Sequence, residues 1–200
     1  MEDNAIVNRI STAMQSRLAH FELKVDHVPW LVWAGENKID YRIMSYITKI
    51  PDSLYNFDPD HNDKTFAAPR TWHFLSKLIQ NIKTDLFDKL PLLSSVIGEA
   101  MAREFAVYTA VYTNLPKIED IKAVPLQTMV PTDPGMLHAL IHLIAANMTV
   151  ATVPQLMKYI ERLPIEFITL TLQNSIRRNK ALVKEDAIKK WVDVHSPELF

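Results

Sequence analysis

The sequence predicts a mainly α-helical bundle with one short strand near the N-terminus. Apolar residues recur at helical spacing in most segments, as in Trp72, Leu75, Leu78, Ile79 and Ile82. Twelve prolines against three glycines (Gly35, Gly98 and Gly135) make proline the chief punctuation between elements. That balance suits short helices in series and leaves few of the positive-φ residues that tight hairpins need. Only residues 20–25 alternate apolar Phe21, Leu23 and Val25 with polar neighbours, in the manner of a half-buried strand.

In chain order, Ile6, Ile10, Met14 and Leu18 stand four apart and predict a helix over 4–18 that leads into the strand. A lone strand leaves both edges unpaired, so its sheet partners must lie elsewhere. Pro29 in a first turn and Gly35 at the stop frame a helix through Trp30, Leu31 and Trp33. Asp40 reads as the N-cap of a helix over 41–50, which Pro51 ends. Residues 51–69 are polar and rich in Asp and Asn, and read as an ordered loop anchored by Leu54, Tyr55 and Phe57. The amphipathic helix through Trp72 follows. A helical stretch interrupted by Pro91 is expected over 85–97, then a helix over 99–112 striped by Met101, Phe105, Tyr108 and Tyr112. Pro116, Pro125, Pro131 and Pro134 mark a connector with at most one helical turn near 119–124. Helices are expected again over 135–147, 153–163, 164–178 and 184–194. This divides the chain into residues 1–27, a helical unit over 28–115, a proline-rich connector over 116–134 and a helical extension over 135–200.

Composition excludes several function classes. With 22 basic and 23 acidic residues there is no overall field to attract a nucleic-acid backbone or an anionic membrane. The absence of cysteine removes disulfides, thiolate metal sites and a cysteine nucleophile together. Met1-Glu2-Asp3-Asn4 lacks the basic start and apolar run of an export signal. The longest apolar stretch, 136–148, contains His138, His142 and Asn147 and is too short to cross ~30 Å of hydrocarbon as a helix. A cytoplasmic setting without a membrane or nucleic-acid partner is the expectation.

A phosphate-binding loop needs a Gly-Lys-Ser/Thr end, and none of the three glycines precedes a lysine. An apolar strand ending in Asp-Glu, which would hold Mg²⁺, is missing as well. The chain alone is therefore expected not to hydrolyse ATP. His138 and His142 lie one turn apart, but Ala-Leu-Ile separates them without the glutamate of the zinc-protease pattern. No metal site is expected, and an independent enzyme built on these histidines is a weak alternative. No nucleophile-elbow pattern supports a Ser-His-Asp set. Arg177-Arg178-Asn179-Lys180 reads as a solvated helix end.

Two stretches carry a family resemblance. Asn8-Arg9-Ile10-Ser11-Thr12-Ala13-Met14-Gln15-Ser16-Arg17-Leu18, followed by His20-Phe21-Glu22-Leu23, resembles the segment after sensor 1 in MoxR-like AAA+ ATPases. There a helix ending in Asn/Ser-Arg-Leu/Phe leads into the last strand of the ATPase core. Phe66-Ala67-Ala68-Pro69-Arg70-Thr71-Trp72 is similar to the Pro-Arg-x-Trp opening of the sensor 2 helix in the lid. Both stand in the family's order, within residues 1–85.

The resemblance implies that 1–27 is the end of an α/β ATPase core and that 28–115 is an AAA+ lid. Arg17 would then be the arginine finger, acting in trans on the γ-phosphate of a neighbouring subunit. Arg70 would be sensor 2, acting in cis. A permanently charged, forked guanidinium suits both tasks. ATP and Mg²⁺ would be cofactors of the full-length protein, with none held by this chain alone. The partners would be neighbouring subunits of a ring, expected to be a hexamer, and a protein substrate to be remodelled. Against this stands a stand-alone helical interaction or adaptor module. An arginine that closes a helix is usually a solvated partner of the helix dipole, and Trp72 reads as a core anchor.

Overall fold

The computed structural model describes residues 10–58, 64–82 and 84–195. Among these residues there are eleven α-helices and no strand, only an isolated antiparallel bridge between Asn56 and Ala67. The helices are α1 (Thr12–Gln15), α2 (His27–Glu36), α3 (Tyr41–Lys49), α4 (Pro69–Ile79), α5 (Leu90–Ile97) and α6 (Glu99–Thr109), then α7 (Ile118–Ala123), α8 (Pro134–Asn147), α9 (Val153–Ile160), α10 (Ile165–Arg178) and α11 (Asp186–His195). The mainly helical expectation is met.

Local chemistry accounts for most boundaries. Asp26, Asp40 and Asp133 each accept a backbone N–H in the first turn of α2, α3 and α8, satisfying donors that have no partner within the helix. Proline occupies the first turn of α4, α5, α8 and α9, where no hydrogen bond is lost. Pro91 therefore starts α5 and does not interrupt a longer helix; ahead of it Leu86–Lys89 form a 3-10 turn capped by Asp85. Gly98, at φ 82°, turns the chain from α5 into α6 in a conformation that other residues resist.

Four other expectations are corrected. The strand over 20–25 does not form: residues 19–26 have no regular structure, and Phe21 and Leu23 are 87% and 94% exposed. The alternation is present, but a strand exists only where a neighbour supplies hydrogen bonds, and no described residue does so. The helix expected over 4–18 is described only as the four residues of α1, and residues 4–9 lie outside the described set. On α4, Trp72, Leu75 and Ile79 are buried, whereas Leu78 is 47% exposed because it falls off their stripe. The single turn expected near 119–124 is the six-residue α7.

Two hydrophobic clusters fill the interior. The first joins α2 to α6 around Tyr46, Trp72, Leu75 and Phe105; the second joins α7 to α11 around Leu140, Ile144, Leu156 and Tyr159. Helices α8 and α10 lie side by side in the second cluster, and α8 also packs on α3 while α10 packs on α2. No single helix among the described residues is long and apolar enough to cross a membrane.

Trp72 centres the first cluster. It is fully buried, its ring meets those of Tyr46 and Phe105, and its indole N–H donates to Ser53 O at 2.8 Å. Trp72→Ala is expected to cost about 3–5 kcal/mol by leaving a cavity, and Trp72→Phe less, mainly by leaving the Ser53 carbonyl unpaired. Denaturant unfolding followed by circular dichroism checks both, and equal losses would place the cost outside cavity formation.

Candidate functional site

The two arginines singled out in the sequence are both on the surface. Arg17 follows α1 in a turn where its N–H donates to Met14 O at 3.0 Å, and its side chain is exposed. Arg70 is the second residue of α4 and is likewise exposed. Among the described residues neither guanidinium has a hydrogen-bonding or ionic partner, and the two do not touch. The start of α4 is set by Thr71, whose Oγ1 accepts the Ala68 N–H at 2.7 Å. A cation in a first turn opposes the helix dipole. Arg70 therefore does not stabilise α4. Phe74 and Leu78 continue from Arg70 at four-residue steps and are 50% and 47% exposed, so one face of α4 is basic at its start and apolar beyond. Trp33 of α2 borders this face, its ring edge-on to His73 at 5.3 Å.

A second constellation lies inside, where the two clusters meet. Asp40 and Arg42, each 6% exposed, form a two-pronged ion pair: Arg42 Nη2 to Asp40 Oδ2 at 2.9 Å and Nε to Oδ1 at 3.0 Å. Burial alone would lower the Arg42 pKa, but the hydrogen bonds and charge of Asp40 outweigh it, and the net shift is upward. Arg42 spends its other donors on Ile79 O at 2.8 Å, which closes the end of α4 and also accepts the Ile82 N–H, and on Ile82 O at 2.9 Å just beyond the helix. Arg178 enters from the last turn of α10 and donates from Nη1 to Ile39 O and Met44 Sδ, each at 2.9 Å. Its pKa is lowered by burial and partly restored by Asp40. The solvated helix end expected over 177–180 thus holds for Arg177 and Lys180, both exposed, but not for Arg178. Lys180 pairs with Glu36 at 2.8 Å on the surface, where such a pair contributes little.

Near Arg178, His142 is 4% exposed, and among the described residues its Nε2 and the buried Tyr112 hydroxyl have no hydrogen-bond partner. Burial, then the charge of Arg178, then His138 push the His142 pKa down to about 3. The His138 ring packs edge-on against Phe167 at 5.2 Å. His142 is sealed from solvent, so the pair offers no surface on which a substrate could be worked. Among the described residues no three histidine, aspartate or glutamate side chains gather as a metal would need.

No protein-family model matches this chain, and no curated protein or solved structure matches it either.

Sequence reasoning missed the role of Arg178. A basic residue in the last turn of a helix is the ordinary dipole partner, and nothing in the linear pattern distinguishes it from Arg177 next to it. Asp40 was legible as a cap but not as the holder of Arg42, because an Asp-x-Arg spacing is also common on exposed helix starts.

His142 sets a pH expectation. Unfolded, it takes up a proton near pH 6.5; folded, only near pH 3. The stability tied to its neutral form is present above pH 6.5 and is lost as pH falls towards 3. Between pH 6.5 and 5, where most carboxylates stay ionised, His142→Leu should remove a loss of roughly 2 kcal/mol that the native chain suffers. Urea titrations at the two pH values give the comparison; parallel losses in both proteins would show that another group titrates.

Proposed function

We propose that this chain is the sensing and lid region of an AAA+ ATPase of the MoxR-like kind, which couples ATP hydrolysis to the remodelling of a protein partner. The observation that carries the reading is the segment from Arg17 to Val25. Directly after Arg17 comes an alternating stretch whose apolar side chains, Phe21 and Leu23, are almost fully exposed and whose backbone groups are unbonded to any described residue. A stretch of that kind is poorly suited to water and well suited to a sheet edge. In the family such a stretch enters the sheet of the ATPase core, with the arginine finger just before it.

The free guanidinium of Arg70, set against the dipole of its own helix, supports the same reading from the lid side. Arg17 would meet the γ-phosphate held by a neighbouring subunit of a ring, and Arg70 that held by its own. ATP and Mg²⁺ would be held by residues other than those of this chain. A helical adaptor is the second reading, favoured by the exposed Phe74 and Leu78 on α4, which give a partner helix an apolar strip.

The purified chain should show no ATP turnover, and robust turnover would overturn the proposal. In a polypeptide that joins this chain to a phosphate-loop domain, Arg17→Ala should lower turnover on the order of 10³-fold. Mixing Arg17→Ala subunits with subunits lacking the phosphate-loop lysine tests the action in trans. Turnover unchanged by either Arg17→Ala or Arg70→Ala leaves the adaptor reading in its place.

A further inference from the structure

The peptide unit between Ile39 and Asp40 is held at both ends. Its carbonyl accepts from Arg178 Nη1 at the end of α10, at 2.9 Å, and its N–H donates to Ser76 Oγ on α4, at 2.8 Å. A trans peptide is a rigid plane whose C=O and N–H point in opposite directions. Helices α10 and α4 therefore grip one plane from its two sides. The Asp40 side chain extends the grip by holding Arg42, which closes the end of α4 through Ile79 O and Ile82 O.

The turn that carries this plane is tightly determined. Ile39 N–H reaches back to Ala34 O at 2.9 Å, and Lys38 sits at φ 54°, in the left-handed region that favours glycine. A non-glycine residue holds that conformation only where its surroundings impose it. Gly35 lets α10 come close: a Cβ at that position would lie 3.3 Å from Arg177 Cβ.

We infer that Arg178 is a positioning residue which, through the Ile39–Asp40 peptide, locks the C-terminal helices α8–α11 to α4, so that both hydrophobic clusters turn as one body. The lock is a property of this chain alone. Its use rests on the proposed reading of Arg70: a γ-phosphate that draws the start of α4 would swing α8–α11 with it, and these helices would be the arm that delivers the movement to the protein partner. Lys180 and Glu36 lie too far into solvent to supply the lock, whereas Arg178 reaches Ile39 and Met44 of the first cluster by hydrogen bonds.

Amide hydrogen exchange on the 200-residue chain, without nucleotide, tests the lock separately from the ATPase reading. Arg178→Gln should speed exchange at Asp40 and in the last turn of α4 by roughly tenfold, the effect of one hydrogen bond of ordinary net strength. Arg178→Lys, which keeps a cationic donor, should restore most of the protection. Coupling between two sites is reciprocal, so Ser76→Ala should speed exchange in the last turn of α10, which Ser76 does not touch. Arg178→Gln that loosens α10 but leaves α4 unchanged overturns the lock. If Arg178→Gln fails to fold, Ser76→Ala decides: unchanged exchange in α10 overturns the inference, and faster exchange sustains it. A lock that fails here leaves the turnover tests of Arg17 and Arg70 unaffected.

Discussion

The buried ion pair of Asp40 and Arg42 is the constraint on which the rest of this architecture depends. Two opposite charges at 6% exposure are tolerated only with close geometry and with their remaining donors and acceptors satisfied. Each condition is met by a different part of the chain. Asp40 also caps α3, Ser76 on α4 receives the Asp40 N–H, and Arg42 closes the end of α4. Removing either partner would strand a charge in the core, at a cost on the order of 3–5 kcal/mol. The pair thus ties the start of α3 to the end of α4.

The same turn is where the two clusters meet. Arg178 brings a second guanidinium to it without bringing a carboxylate, so its charge is answered by a carbonyl, a thioether and the more distant Asp40. His142 nearby can stay buried only as the neutral base. The junction is consequently polar, positively biased and sensitive to acid, unlike the apolar interiors on either side. A junction of this kind holds its parts in register through direction-specific hydrogen bonds, whereas apolar contact alone tolerates sliding.

By contrast, the residues tied to the proposed function stand outside that framework. Among the described residues Arg17 and Arg70 form no ion pair, and Phe21 and Leu23 bury little. Local stability does not explain their placement, which is what makes a role towards an external phosphate and an external sheet economical.

Helix positions, aspartate caps and proline starts were legible in the sequence because they depend on neighbours within a turn: Asp40 before Tyr41 and Pro69 before Arg70 read the same in one dimension as in three. Trp72 was legible as a core anchor from its place in the apolar stripe. The strand at 20–25 was overread, since alternation states only that a segment suits a sheet, and pairing needs a second segment. Pro91 was read as a break when it begins a helix. What tertiary structure alone decided was the partner of each buried charge. Arg177 and Arg178 are identical in the sequence, yet one faces water and the other reaches Ile39 O across 139 positions. Hydrogen bonds over such separations follow from how whole helices pack, and no local pattern of residues encodes which arginine will arrive.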